Sequence, residues 1–380
     1  MEYEYKERAV KSQPEKELGN GQGLFIGLCS AFLGCLSLAA VLAYLYPAYL
    51  TTTELRAVYD AEHLQQVLKY GMWFSLFFGV ITFIRNKKKR LGALGVITTL
   101  IAFSFGGYQI PVGAVEAKPL AIGIDWLILA FLGTTIIFTT LEKLFPNHKD
   151  QVVFRDEWTL DFLYFCINHL LISILLFIGN YFTSVFDWAA SDDVQYFVQS
   201  LPFIAQFLLV FLVADFILYI EHRAFHEIPR LWPFHAVHHS VETMDWMAGS
   251  RSHIMATVVE RTLVMVALYS IGADKEVLDL YVTVAALQAI VIHCNINLPW
   301  GPLKHILVTT QYHHWHHSSE RPAIDTNYAA HTTLFDRLFK THHMPGDHWP
   351  AEYGTTKPLP RTYLGQLLFP FRSSPRSNDE

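Results

Sequence analysis

The stretch PFIAQFLLVFLVADFILYIEHRAFH, residues 202–226, decides the class of this protein. Its apolar part, Pro202 to Ile220, has about the length a helix needs to cross a bilayer, and it runs straight into two histidines, His222 and His226. Residues four apart share one helix face, so both imidazoles emerge together at the mouth of a membrane span. Ionisable side chains are costly there unless they serve a function. The rest of the chain is of the same kind: 52% hydrophobic, 14% aromatic and only 16% charged, against about 25% charged in soluble domains.

Two further clusters follow, His235-Ala-Val-His238-His239 and His313-His314-Trp-His316-His317. On a helix, H-x2-HH spacing is expected to aim two or three imidazoles at a single point. The supply exceeds what one four-coordinate zinc uses and suits two cations with five or six ligands each. Spacing selects a metal without selecting which one. A histidine-rich membrane metal carrier is one alternative, but it would spread ligands through several spans, and His169 is the only histidine within an early span. A hydrolytic zinc enzyme is another; it needs fewer ligands and a general base, and Glu227 and Glu242 stand in no recognised base motif.

Outward from the histidines, Gly23–Leu50, Val67–Ile84, Leu91–Gly106 and Leu120–Leu141 read as four spans, and Leu160–Phe182 as a fifth before the Pro202–Ile220 span. Met255–Gly272 and Val277–Ile292 read as a tight helical hairpin, crossing or re-entrant. Eight crossings are thus expected. The first twenty residues are polar, and no signal peptide is expected there. Lys and Arg collect in alternate connections: Lys6, Arg8, Lys11 and Lys16, then Arg85, Lys87, Lys88, Lys89 and Arg90, then Lys143, Lys149 and Arg155. The intervening loops hold little more than Arg56 and Lys118. The positive-inside rule then sets the histidine clusters on the cytoplasmic side, of a bacterial inner membrane or the endoplasmic reticulum. Cys29, Cys35, Cys166 and Cys294 show no CxxC spacing and read as packing residues, and a net charge of −6 argues against nucleic acid as a partner.

The expected fold is therefore all-α, a polytopic membrane helical bundle with a cytoplasmic-side, histidine-rich helical cap holding a di-metal site. Three regions are expected: 1–150, an N-terminal transmembrane scaffold; 151–345, the catalytic region; and 346–380, an extended, proline-bearing tail, disordered from Ser373.

From Asp215 to Thr341 the chain resembles the fatty acid hydroxylase and sterol desaturase superfamily of membrane histidine-box oxygenases. The resemblance rests on Asp215-x3-Tyr219-x2-His222-x3-His226, on His235-x2-His238-His239, on His313-x2-His316-His317, and on the ending Asp325-Thr-Asn327-Tyr328 with Phe335-Asp336-Arg337. It implies that the eight box histidines are metal ligands and that His293, from the span before the third box, is a ninth. It also implies that the metals are two iron ions, replaceable by zinc in purified protein, with dioxygen as co-substrate. Asp215, Tyr219, His253, Asn297, His314, Asp325 and Asn327 are candidate supporting groups or further ligands; Asp215 and Asp325 in particular are expected to accept imidazole N–H groups. The family's ending usually carries glycine before its last threonine, where Lys340 stands here, so the local turn is expected to differ. The activity implied is hydroxylation or desaturation of a lipid C–H bond, with electrons from a separate protein; ether-lipid oxidation with a reduced pterin is the variant. Oligomeric state is not legible.

Overall fold

The computed structural model describes residues 24–52, 60–86, 89–111 and 122–372. Outside them lie the basic residues Lys6, Arg8, Lys11, Lys16, Lys87 and Lys88, the opposing Arg56 and Lys118, and the tail from Ser373. Among the described residues the chain is nearly all helix, with isolated bridges in place of strands. It forms two compact units, 1–125 and 126–380.

The first unit is built on three helices, α1 (Leu24–Leu45), α2 (Ala61–Arg85) and α3 (Arg90–Ser104). In lipid the apolar tails compete equally for apolar side chains, so association relies on close backbone approach and hydrogen bonds between helices. Small residues supply both. The Ser30 hydroxyl of α1 donates to the Ser75 carbonyl of α2 at 2.8 Å, and the Ser75 hydroxyl returns a bond to the Ser30 carbonyl at 2.9 Å. Gly95 of α3 lies so close to α1 that a methyl group on it would come 2.2 Å from the Ser30 Oγ and 2.3 Å from its backbone. Large apolar residues such as Phe25 and Ile84 point outward.

The second unit begins in the first turn of α4 (Ile124–Leu144) and continues through α5 (Trp158–Leu170), α6 (Ile172–Val185), α7 (Asp192–Gln199), α8 (Phe203–Glu227), α9 (Trp232–His239), α10 (Ile254–Ile271), α11 (Lys275–Val291), α12 (Thr310–His316), α13 (Leu334–Leu338) and α14 (Tyr363–Arg372). The helix α8 is its axis. Val210 and Ala214 of α8 share a buried cluster with Leu268 of α10 and with Val277 and Tyr281 of α11. The turn between α10 and α11 is closed by the buried Gln206 of α8, which donates to the Asp274 carboxylate at 2.8 Å and accepts the Asp274 N–H at 3.0 Å. Gly272 ends α10 at φ 62°, where a Cβ would strike Gln195 of α7.

Three expectations change. The stretch Leu160–Phe182 is not one helix but two, broken at Leu171, where ψ is −2°. Two residues earlier the His169 ring takes the Phe165 carbonyl at 2.8 Å, the acceptor its own helical N–H requires, and such side-chain intrusion disrupts a helix. Helices α10 and α11 form no tight hairpin, because each packs on α8 rather than along the other. Finally, the segment from 346 runs without regular structure only to Thr362, after which α14 forms. Among the described residues six helices are long and apolar enough to cross a membrane: α1 to α4, α8 and α10.

Replacing Gly95 by Val forces apart the α1–α3 contact and is expected to cost about 1–3 kcal/mol, read as a lower thermal midpoint in detergent. Gly133→Ala of α4, where a Cβ meets nothing within 4 Å, is the control and is not expected to lower the midpoint.

Candidate metal centre

Nine histidines converge at the end of α8. They fall into two groups, one of His222, His226, His235, His239 and His316, the other of His238, His293, His313 and His317. Within each, the candidate ligand atoms all lie within 4.8 Å of one another.

Helix geometry explains the division. A residue at i+4 lies about 40° from residue i around the axis and one at i+3 about 60° to the other side. On α9, His235 and His239 (i, i+4) therefore turn into the five-histidine group while His238 turns into the other. At α12 the pattern repeats with the groups exchanged: His313 and His317 stay together, and His316 crosses over. The H-x2-HH motif thus serves two points, not the single point its spacing suggests. His222 and His226 arrive on α8, and His293 just past the end of α11.

The outer nitrogens fix the tautomers, since a carbonyl oxygen only accepts. His222 Nδ1 donates to the Tyr328 carbonyl at 2.7 Å, His316 Nδ1 to the Thr326 carbonyl at 2.8 Å, and His226 Nδ1 to the Asp325 carboxylate at 3.2 Å. In the other group His238 Nδ1 donates to the Arg251 carbonyl at 2.9 Å and His293 Nδ1 to the Ala289 carbonyl at 2.7 Å. Each such ring turns a bare Nε2 lone pair inward.

Those lone pairs meet. His238 Nε2 and His293 Nε2 lie 3.3 Å apart with no hydrogen to share. His239 Nε2 lies 3.1 Å from that of His226, 3.2 Å from that of His235 and 3.0 Å from that of His316, and one hydrogen cannot serve three contacts. Protonation offers no remedy. Burial pushes the His238 imidazole down to about 4 and holds those of His293, His313, His316 and His317 well below the ordinary value, so the rings are neutral at physiological pH. Nitrogens bound at right angles to one cation at about 2.1 Å would sit about 3.0 Å apart. The donor set, neutral nitrogen throughout with converging lone pairs, fits a cation in each group.

One loop supplies the acceptors for the five-histidine group. Asp325 and Asn327 adopt left-handed φ values of 57° and 59°, which Asp and Asn tolerate best among residues with a Cβ. Asn327 ties the loop to the carbonyls of Tyr312 and His343 rather than touching the site. Asp336 accepts the N–H groups of Tyr328 and Ala329 together with the hydroxyls of Tyr312 and Thr341. Lys340 holds φ at 62°, the left-handed turn that glycine favours.

The other candidates have different partners. Asp215 reaches no imidazole; it accepts the N–H groups of Ala330, His331 and Thr332 and so anchors the far end of the same loop. Tyr219 bonds to Thr341 and Arg223. His253 caps α10 by accepting the Met255 N–H and donates to the Leu367 carbonyl, leaving no ring nitrogen for a metal. His314 faces away, bonded to the Cys294 carbonyl and the Tyr353 hydroxyl. Asn297 is exposed, and its backbone pairs with Phe145. His331 is held by Gln288 and Tyr281. The carbonyls of Tyr328, Thr326, Arg251 and Ala289 escape sequence reading because every residue carries one. A small cleft lined by Trp232, Ser318, Asp325 and Thr355 reaches His226, His239 and His316.

A family model described as fatty acid hydroxylase matches residues 207–341. The chain is 30% identical over 250 residues to ornithine lipid hydroxylase OlsE of Rhizobium tropici, covering 65% of this chain and 76% of that protein. It is 28% identical over 149 residues to alkylglycerol monooxygenase of Homo sapiens, 39% of this chain and 33% of that one. To a putative methylsterol monooxygenase of Dictyostelium discoideum it is 25% identical over 201 residues, 51% of this chain and 72% of the other. No solved structure matches. With nine converging imidazoles divided into two donor groups, and relatives that include a lipid hydroxylase and monooxygenases, this chain belongs to the fatty acid hydroxylase superfamily.

Proposed function

We propose that this protein is a multi-pass membrane hydroxylase that uses two iron ions to insert one oxygen atom of dioxygen into a C–H bond of a membrane lipid. The observation that carries the reading is the convergence of Nε2 lone pairs in groups of five and four, with too few hydrogens to satisfy one another. Bound iron would supply the activation of dioxygen, with imidazole suited to it as a ligand and positions left open. Overall, a C–H bond, dioxygen, two electrons and two protons become C–OH and water. The electrons come from a separate donor protein. Hydroxylation is preferred over desaturation because the relatives are named hydroxylase and monooxygenase. The ornithine lipid hydroxylase extends over more of this chain than the alkylglycerol monooxygenases do, which favours a lipid of the ornithine-lipid class over an alkylglycerol oxidised with a reduced pterin.

The protein's own part is positional. His222, His226, His235, His239 and His316 would hold one cation, and His238, His293, His313 and His317 the other. The Asp325 carboxylate and the Thr326 and Tyr328 carbonyls, by taking Nδ1 hydrogens, keep each Nε2 free and raise its basicity. Burial excludes bulk water from the rings, which protects the reacting carbon from side reactions. The clusters are read as cytoplasmic.

Elemental analysis of full-length protein purified in detergent is expected to give two iron ions per chain, with membranes incubated under oxygen-18 yielding one labelled oxygen in a lipid product. His222→Ala is expected to abolish that label, and no label in any lipid from wild-type membranes contradicts the reading. Asp325→Asn keeps the size of the side chain but weakens the hold on His226, and is expected to lower metal affinity by about 10- to 100-fold. A chelator competition measures it.

A further inference from the structure

We propose that a buried ion network, Glu157–Arg251–Asp161–Arg155–Asp245, is the positioning framework of the four-histidine group and governs whether a cation stays there; this rests on the reading that both groups hold metal. Asp161 of α5 is the hub. It accepts from the Arg155 guanidinium on one side and the Arg251 guanidinium on the other, and Asp161 and Arg251 are both fully buried. Arg155 grips Asp245 through two bonds, Nε to Oδ2 at 2.7 Å and Nη2 to Oδ1 at 2.9 Å. Arg251 Nη1 donates to Glu157 at 2.8 Å.

Buried ion pairs contribute little net stability, because desolvation offsets their attraction, and their geometry is what they supply to the segments they join. Here that geometry is directed toward the site. The Asp245 carboxylate also accepts the N–H groups of Met247 and Ala248, both at 3.0 Å, and so fixes the turn 245–251. That turn meets the four-histidine group twice. The Arg251 carbonyl takes the His238 Nδ1 hydrogen at 2.9 Å, which sets the tautomer and aim of that ring. Gly249 lies against His293 so closely that a Cβ would come 2.8 Å from its Nδ1.

The two remaining rings provide no substitute. His313 Nδ1 and His317 Nδ1 are buried without a hydrogen-bond partner. The five-histidine group leans instead on the loop 325–328, which Asp215 and Asp336 anchor from elsewhere. Disturbing the network should therefore release one cation and spare the other. A role in general stability would affect both.

Full-length protein loaded with zinc is tested by following metal transfer to a chromogenic chelator. Wild type is expected to release two cations per chain. In Asp161→Asn one of them is expected to leave about 10- to 100-fold faster while the second keeps its wild-type rate. Gly249→Ala and His238→Ala are expected to give the same split, and Asp161→Asn combined with His238→Ala no more than either alone. Wild-type rates for both cations in Asp161→Asn, or equal acceleration of both, overturn the proposal. Should Asp161→Asn fail to yield monodisperse protein, Glu157→Gln at the rim of the network decides: faster loss of one cation supports the proposal, unchanged release overturns it. Wild-type protein that binds no zinc refutes the metal reading itself, a separate outcome.

Discussion

Too many lone pairs and too few hydrogens meet at the end of α8, and the rest of the second unit is arranged around that imbalance. A buried imidazole ordinarily satisfies both its nitrogens. Here five of nine rings spend their single hydrogen outward on an oxygen and point the bare nitrogen at neighbouring imidazole nitrogens. Such an arrangement is electrostatically poor until something positive occupies it. The helices that carry the rings, α8, α9 and α12, are held from outside the cluster, so the cost is met by packing elsewhere.

Two separate frames do the holding. One is the loop 325–332, pinned by the buried carboxylates of Asp215 and Asp336, and it serves the five-histidine group. The other is the turn 245–251, pinned by arginine and aspartate pairs. Both are irregular segments, where backbone carbonyls are free to accept from a side chain because no helix claims them. The outcome is a site with two supports, reached by a cleft beside His226 and His239. The relatives, an ornithine lipid hydroxylase, alkylglycerol monooxygenases and a putative methylsterol monooxygenase, differ in substrate while sharing the family.

The nine histidines were legible because helical spacing is a local property, and an apolar run beside them announces the membrane. Their division into two groups was legible in principle, since i+3 and i+4 diverge around the axis, but the sequence reading stopped at a shared face. What lay beyond reach was whatever depends on tertiary contact. Asp215 and Asp325 look alike in sequence, yet of the two Asp325 bonds an imidazole, because Asp215 sits about two turns deeper on α8 than His222 and meets backbone N–H groups instead. His253 carries the right chemistry and spends it on capping α10. The division of α5 from α6 turns on the His169 ring and the Phe165 carbonyl, and the packing of α10 and α11 on α8 on tertiary contacts that composition does not encode. The turn at Lys340 keeps a left-handed backbone without glycine, with the next residue, Thr341, donating its N–H to the Asp336 carbonyl and accepting the Asn327 N–H.

The central claim concerns nitrogen around metal, and X-ray absorption at the iron edge of the purified, iron-loaded protein tests it most directly. The account predicts a first shell dominated by nitrogen at about 2.0–2.2 Å, with the outer-shell pattern of several imidazoles per metal. A first shell of sulfur, or one of oxygen without imidazole scattering, contradicts it.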